Sequence, residues 1–416
     1  MSLQAKFLEV SHPWKQVLHH PHLPKFAMAR STSRIATNLI PIIISWQILH
    51  ELHATLWLTL YFTWFTVGLA VGSFGGGLYV DTSGPRKVLL VSDAVRTLIC
   101  ALAVLLLNSK FGICTLGMVL GITGGISAVA SGVLPRKLLT DELLHIGVSF
   151  MSTIGQALFL IIPLIGTSAL KLMSSSQIWA LIALLYGVST FQFLRIPDVG
   201  LTNRSSKFSL DFSLKSSFSA LIKDPHLYMF AVLSIVTALT TTGILDVMVP
   251  YVLVNWAQSA AGTFGLTMPL WGVGLMIGSI LSGFLKPKSF MTLVWTHLLL
   301  AIGFLLVVQS SSLLIGIGLA VIGLFTGYLR AITTTLLSLL VPEQILGRAS
   351  GLLDTLDLIL QPVSLWGAEF AITRKAIMPF IAVCEIIVIL GILISLAIGF
   401  GSKKVKQAAS SVITRS

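Results

Sequence analysis

GGLYVDTSGPRKVLL, residues 76–90, sets a short charged turn between two long apolar runs. Within it Gly77, Asp81, Gly84, Arg86 and Lys87 stand in the spacing G-x-x-x-D-x-x-G-x-[RK]-[RK]. Each residue type has a use there. Gly77 admits close approach of a second helix, Gly84 admits a turn that other residues resist, and the charges suit the ends of neighbouring helices. The flanking runs, 56–80 and 88–107, are each long enough for a membrane-spanning helix of ~20 mostly apolar residues.

The same alternation continues along the chain. Further apolar runs cover 26–49, 112–133, 146–170, 177–194, 227–254, 261–285, 290–309, 313–340, 349–370 and 376–400. Composition agrees, since 55% of the 416 residues are hydrophobic and 10% charged, against about 25% charged in an ordinary soluble domain. The predicted class is an all-α integral membrane protein with twelve transmembrane helices in two pseudosymmetric six-helix bundles. A polar, Ser-rich, basic linker at 195–226 separates a bundle at 26–194 from one at 227–400, with tails at 1–25 and 401–416. Within the linker, FSLDFSLKSSFSALI (208–222) has the pattern of an amphipathic helix lying at the headgroups.

Charge gives an orientation. The net charge is +12, but the basic residues are scattered among short connections, with no dense arginine patch or aromatic platform of the kind that binds nucleic acid. With both termini placed inside, nineteen Lys and Arg lie on the inner side and only Lys110, Lys171, Arg374 and Lys375 on the outer. That asymmetry predicts cytoplasmic termini and a cytoplasmic linker in a cell membrane. The first 25 residues are too polar for a signal peptide, so the first apolar run is read as an uncleaved helix. His12, His19, His20 and His22 are interrupted by Pro13 and Pro21 and read as a solvated tail rather than a metal site. Cys100, Cys114 and Cys384 show no CxxC spacing.

The 77–87 pattern, placed after the second of six-plus-six spans, resembles the signature loop of the major facilitator superfamily. Thr82 and Pro85 depart from it where basic residues are common. FAMARSTSRIATNLIPIIISWQI (26–48), VSDAVR (91–96), SGVLPRKL (131–138) and LLVPEQILGRASGLLDTL (339–356) look like the subgroup of macrolide efflux proteins and the enterobactin exporter, drug:proton antiporters among them. The resemblance covers nearly the whole chain. It implies a rocker-switch secondary transporter, with spans one, four, seven and ten lining a central cavity and spans two, five, eight and eleven bordering the two halves. Span five reads Ile162-Pro163-Leu164-Ile165-Gly166-Thr167, matching only two positions of the antiporter element G-P-x-x-G-G, and span four holds no charge.

Ionisable residues inside the spans are the candidate site, because a charge at the bilayer centre costs at least about 2.5–3.5 kcal/mol and is kept where it faces protein or water. Arg30 and Arg34 share a helical face with Thr37, Pro41 and Ser45, and Arg34 lies roughly 12 Å inside the start of its span. Two roles fit Arg34: lining the cavity or locking two helices. Arg330 sits at similar depth in span ten. Asp246 follows a run of threonines in span seven and is a candidate proton carrier, with a solvated outer gate as the alternative. In span eleven Asp354 and Asp357 are three apart on one face, extended by Ser350, Gln361 and Ser364. The expectation is that Asp354 partners basic residues near Arg86 while Asp357 titrates with the transported proton. Asp93 and Arg96 have the spacing of a local structural pair that extends the Asp81–Arg86 charges. Glu369 and Glu385 have no assigned role.

No P-loop, HExxH or GxSxG element occurs in a suitable context, so neither an ATP-driven pump nor a membrane hydrolase is indicated, and no cofactor is implied. The leading expectation is proton-coupled export of amphipathic drug-like or metabolite molecules by a monomer. A dedicated siderophore or metabolite exporter, and a non-transporting sensor with the same fold, are the alternatives.

Overall fold

The computed structural model describes residues 20–52, 54–139, 141–197, 225–257, 261–284, 291–340 and 343–401, with side chains left undescribed at some helical positions. The linker's amphipathic stretch, His12 and His19 lie outside the described residues. The described chain is helical, with no strand among the described residues. In order the helices are α1 (Leu23–Trp46), α2 (Thr55–Ser83), α3 (Pro85–Ala101, followed by the turn Ala103–Leu106), α4 (Lys110–Leu138), α5 (Asp141–Leu172) and α6 (Ser175–Leu194). Then come α7 (Pro225–Gly243), α8 (Ala261–Thr267, resuming as Pro269–Phe284), α9 (Met291–Val307), α10 (Ser312–Leu340), α11 (Glu343–Thr373) and α12 (Ile377–Gly401). Each apolar run of the sequence is mostly helical over its described residues. Among those residues, six helices are long and apolar enough to cross a membrane.

Local chemistry sets the helix ends. Gly84 has φ +80°, a value that favours glycine, and it separates α2 from α3, where Pro85 supplies the preset first-turn φ. Ser109 caps α4 by accepting from the Gly112 N–H, and Ser174 with Gln177 forms a capping box on α6. His20 Nδ1 accepts from the N–H groups of His22 and Leu23 at the start of α1. Burial and the neighbouring His22 hold His20 below the usual histidine range, in keeping with an unprotonated accepting nitrogen.

The chain divides into two compact units. Unit 1 gathers 1–47 and 60–204, and unit 2 gathers 48–59 and 205–416. In unit 1 the core at the α2–α3 turn is built from Leu23, Phe26, Val80, Leu89, Leu134 and Phe193. Phe74, Leu98, Phe111, Leu184 and Phe191 are exposed large apolar side chains, as expected where hydrocarbon is the solvent.

Close helix contact is concentrated at glycines, and the two units use the same spans for it. In unit 1, Cβ atoms at Gly68 and Gly72 of α2 would strike the backbone of Met118 and Ile122, and those at Gly117, Gly121 and Gly125 of α4 the backbone of Tyr61, Phe65 and Leu69. In unit 2, Gly274 and Gly278 of α8 meet Ala320 and Leu324, while Gly323 and Gly327 of α10 meet Trp271 and Leu275. The second and fourth spans of each half are thus joined by small residues four apart, where dispersion and backbone proximity replace the missing hydrophobic drive. Nothing among the described residues lies within 4 Å of where a Cβ on Gly77 would be, so the described close approach in α2 falls at Gly68, Gly72 and Gly76.

Because the Phe65 carbonyl has no rotamer by which to move aside, Gly121→Val destabilises unit 1 by about 1–3 kcal/mol. Thermal unfolding of the purified protein measures it. Gly132→Val, at a position with open space among the described residues, serves as the control and leaves unfolding unchanged.

Candidate functional site

Among the described residues, the most completely bonded polar cluster lies inside unit 1. Asp93 and Arg96 of α3 are buried and paired, Arg96 Nη1 lying 3.1 Å from Asp93 Oδ1. Ser33 of α1 also donates to Oδ1 at 3.1 Å, and Ser189 Oγ of α6 lies 2.7 Å from Oδ2 and 3.0 Å from the Ala29 carbonyl. Arg96 Nε donates to Thr123 Oγ1 of α4 at 3.0 Å, and the Thr123 hydroxyl donates in turn to the Val119 carbonyl. The guanidinium stands 5.4 Å from the centroid of the Tyr186 ring. Thr37 donates to the Ser33 carbonyl, so the Tyr186 hydroxyl is the donor in its 2.9 Å bond to Thr37. One ion pair thereby ties α1, α3, α4 and α6.

The local Asp93–Arg96 pair matches its spacing, but its surroundings differ from expectation. It does not extend the loop charges; its partners are hydroxyls of three other helices. Arg86 Nε and Nη2 donate instead to the Phe193 and Leu194 carbonyls at 3.1 and 2.8 Å, a cation on the C-terminal end of α6. Asp81 is exposed, as is Lys87. Ser33, Thr123, Tyr186 and Ser189 were not legible as partners, because lone hydroxyls in apolar runs usually bond to their own helix backbone.

Arg34 reaches α5: its Nη1 is 3.4 Å from the Met151 carbonyl, and its guanidinium occupies the space a Cβ on Gly155 would need. Arg30, one turn earlier, is half-buried, with its Nε enclosed and unbonded among the described residues. At the opposite end of α1, Trp179 Nε1 donates to Gln47 Oε1 at 2.9 Å, both buried.

In unit 2, α7 passes into a π-helical turn at Ile244–Met248 that contains Asp246. Such turns carry one extra residue and often mark functional positions. Asp246 is half-buried and has no hydrogen-bond or ion-pair partner among the described residues. Gly243 lies against α11 and donates its N–H to Ser364 Oγ at 2.9 Å. Further along α11, Asp357 Oδ2 accepts from Gln361 Nε2 at 2.9 Å, joining two members of the polar face. Asp354 lies in the helix, but its side chain, and hence any partnership with bases, falls outside the description. Arg330 is exposed on α10.

Glu369 receives a role. It is buried, and its carboxylate accepts from Thr55 at 3.0 Å, Thr59 at 3.3 Å and Thr373 at 3.2 Å, binding the first turns of α2 to α11 within unit 2.

The model of the Major Facilitator Superfamily matches residues 26–363. The chain belongs to the major facilitator superfamily. Enterobactin exporters are among its relatives. One from Citrobacter koseri is 26% identical over 347 residues, covering 80% of this chain and 81% of that protein. One from Escherichia coli strain UTI89 is 27% identical over 349 residues, with coverage of 80% and 81%. Among solved structures, a D-xylose-proton symporter superposes with TM-score 0.72 at 13% identity, covering 90% of this chain and 96% of that one. A nucleoside transporter does so with TM-score 0.71 at 10% identity, covering 90% and 98%. A bacterial homologue of the lysosomal transporter Spinster, inward-facing and occupied, gives 0.72 at 9% identity, covering 92% and 97%. At these identities the structures establish the fold. As a major facilitator protein the chain is a multi-pass membrane transporter rather than an enzyme.

Asp93→Ala strands Arg96 without its counter-charge and destabilises the protein by about 3–5 kcal/mol, whereas Ser189→Ala costs about 1 kcal/mol. Thermal unfolding separates the two. Asp93→Ala combined with Arg96→Met recovers most of the loss if the pair is structural.

Proposed function

We propose that this transporter is a proton-driven exporter of small amphipathic metabolites or drug-like molecules, with both termini and the 195–226 linker in the cytoplasm. Asp246 carries the reading. Protonating Asp93 would break its bond to Arg96, but Asp246 can gain and lose a proton without surrendering a fixed cation among the described residues. Its place in a π turn next to the Gly243–Ser364 contact couples that change to the packing of α7 on α11. Asp357, held by Gln361, is the second candidate. The likeness to enterobactin exporters supports export, and supports a dedicated siderophore or similar metabolite as the narrower reading. The Lys and Arg asymmetry supports the orientation. In this reading Gly84 and Arg86 shape the hinge of an inner gate, with Asp81 and Lys87 on its exposed side.

The test is accumulation of candidate compounds in everted vesicles with and without a proton gradient. Asp246→Asn is expected to reduce gradient-driven accumulation at least tenfold while leaving gradient-independent substrate exchange intact; Asp357→Asn is expected to have a smaller effect. Full gradient-driven activity in Asp246→Asn would remove it as the carrier. Reaction of Ser205→Cys with an impermeant thiol reagent in intact cells would overturn the orientation.

A further inference from the structure

The membrane interior of the first six spans holds three arginines, Arg30, Arg34 and Arg96, and one acid, Asp93. The remaining acids of residues 1–204, Glu9, Glu51, Asp81, Asp141, Glu142 and Asp198, lie in the tail, in connections or at helix ends. Asp93 is already committed. One of its oxygens takes Arg96 and Ser33 and the other takes Ser189. Two guanidinium charges, four residues apart on one face of α1, are therefore left without a carboxylate partner among the described residues of their own unit.

Their surroundings do not replace it. The partner of Arg34 among the described residues is the Met151 backbone carbonyl, at 3.4 Å. Arg30 has an enclosed Nε with no partner among the described residues, and the charges within its electrostatic reach are Arg34 and Arg96 against Asp93. Like charges held close in a low-dielectric interior are unfavourable unless an anion or water joins them. Arg30 and Arg34 are both only partly buried. Planar guanidinium forks match a carboxylate in shape as well as charge. The glycine at 155 leaves the room in which the Arg34 head rests.

We propose that Arg30 and Arg34 form an oxyanion site for the transported molecule, which makes the substrate class an organic carboxylate or similar organic acid and not a cation. The assignment deepens the transport reading and rests on it for the word substrate, but the site itself is testable without transport.

Two measurements on the full-length protein in detergent decide it. In the first, Arg30→Gln alone raises the unfolding temperature by about 2–4 °C, because an uncompensated charge has been removed; a lowered temperature would mean that Arg30 has a structural counter-charge and would overturn the proposal. In the second, sodium benzoate raises the unfolding temperature of the wild type, while benzamide and inorganic phosphate at matched ionic strength do so at most weakly. The Arg30→Gln, Arg34→Gln double variant loses the benzoate response. An equal response to benzoate and benzamide, a response to phosphate alone, no response in the wild type, or a response retained in the double variant would each overturn it. Neither measurement uses a gradient, so vesicles that fail to accumulate any compound would sink the transport reading and leave the anion site standing.

Discussion

The Asp93–Arg96 ion pair is the constraint around which unit 1 is organised. Neither charge can be left bare in an apolar interior, and each has more hydrogen-bonding capacity than the other can satisfy. Ser33, Ser189, Thr123 and the Tyr186 ring fill the remainder, and they come from three different helices. Satisfying one pair therefore fixes the rotation of α1, α4 and α6 about α3. Removing a hydroxyl loosens this arrangement, whereas removing one charge leaves the other with nowhere to go.

Around that point the packing follows a different rule. Lipid supplies no hydrophobic drive for helix association, so the tight contacts occur where glycines let backbones meet. The repetition of this device between α2 and α4 and again between α8 and α10 is a signature of an internally repeated chain. Stiff glycine-lined pairs contrast with the continuation of α7, where π turns at Ile244–Met248 and Val252–Trp256 interrupt regular hydrogen bonding. The candidate coupling acid lies in the irregular part and the committed acid in the regular part. This division of labour is chemically sensible, since a group that must change its charge cannot also be a permanent anchor.

Helix-forming apolar runs and the charged turn at 77–87 were legible in the sequence because each depends on residues close together in the chain. Length against bilayer thickness locates a span, and Gly84 before Pro85 marks a break that any fold must respect. The same reasoning placed Asp93 beside Arg96, three residues apart on one helix. It could not tell which glycines of α2 meet a neighbouring backbone among the described residues, because a glycine's spacing is the same whether or not a second helix comes near.

The membership of this chain among membrane transporters, its helical class and the presence of charges inside its spans were therefore determined by the sequence alone. Only the tertiary structure decided which charges are satisfied. Glu369 gained three threonine donors, two of them more than 300 positions away; Asp93 gained two serines, and Asp246 gained no described partner. A side chain's periodicity gives the face it occupies on its own helix, but its partner depends on how other helices are rotated, and that rotation is set by packing of the whole unit at once.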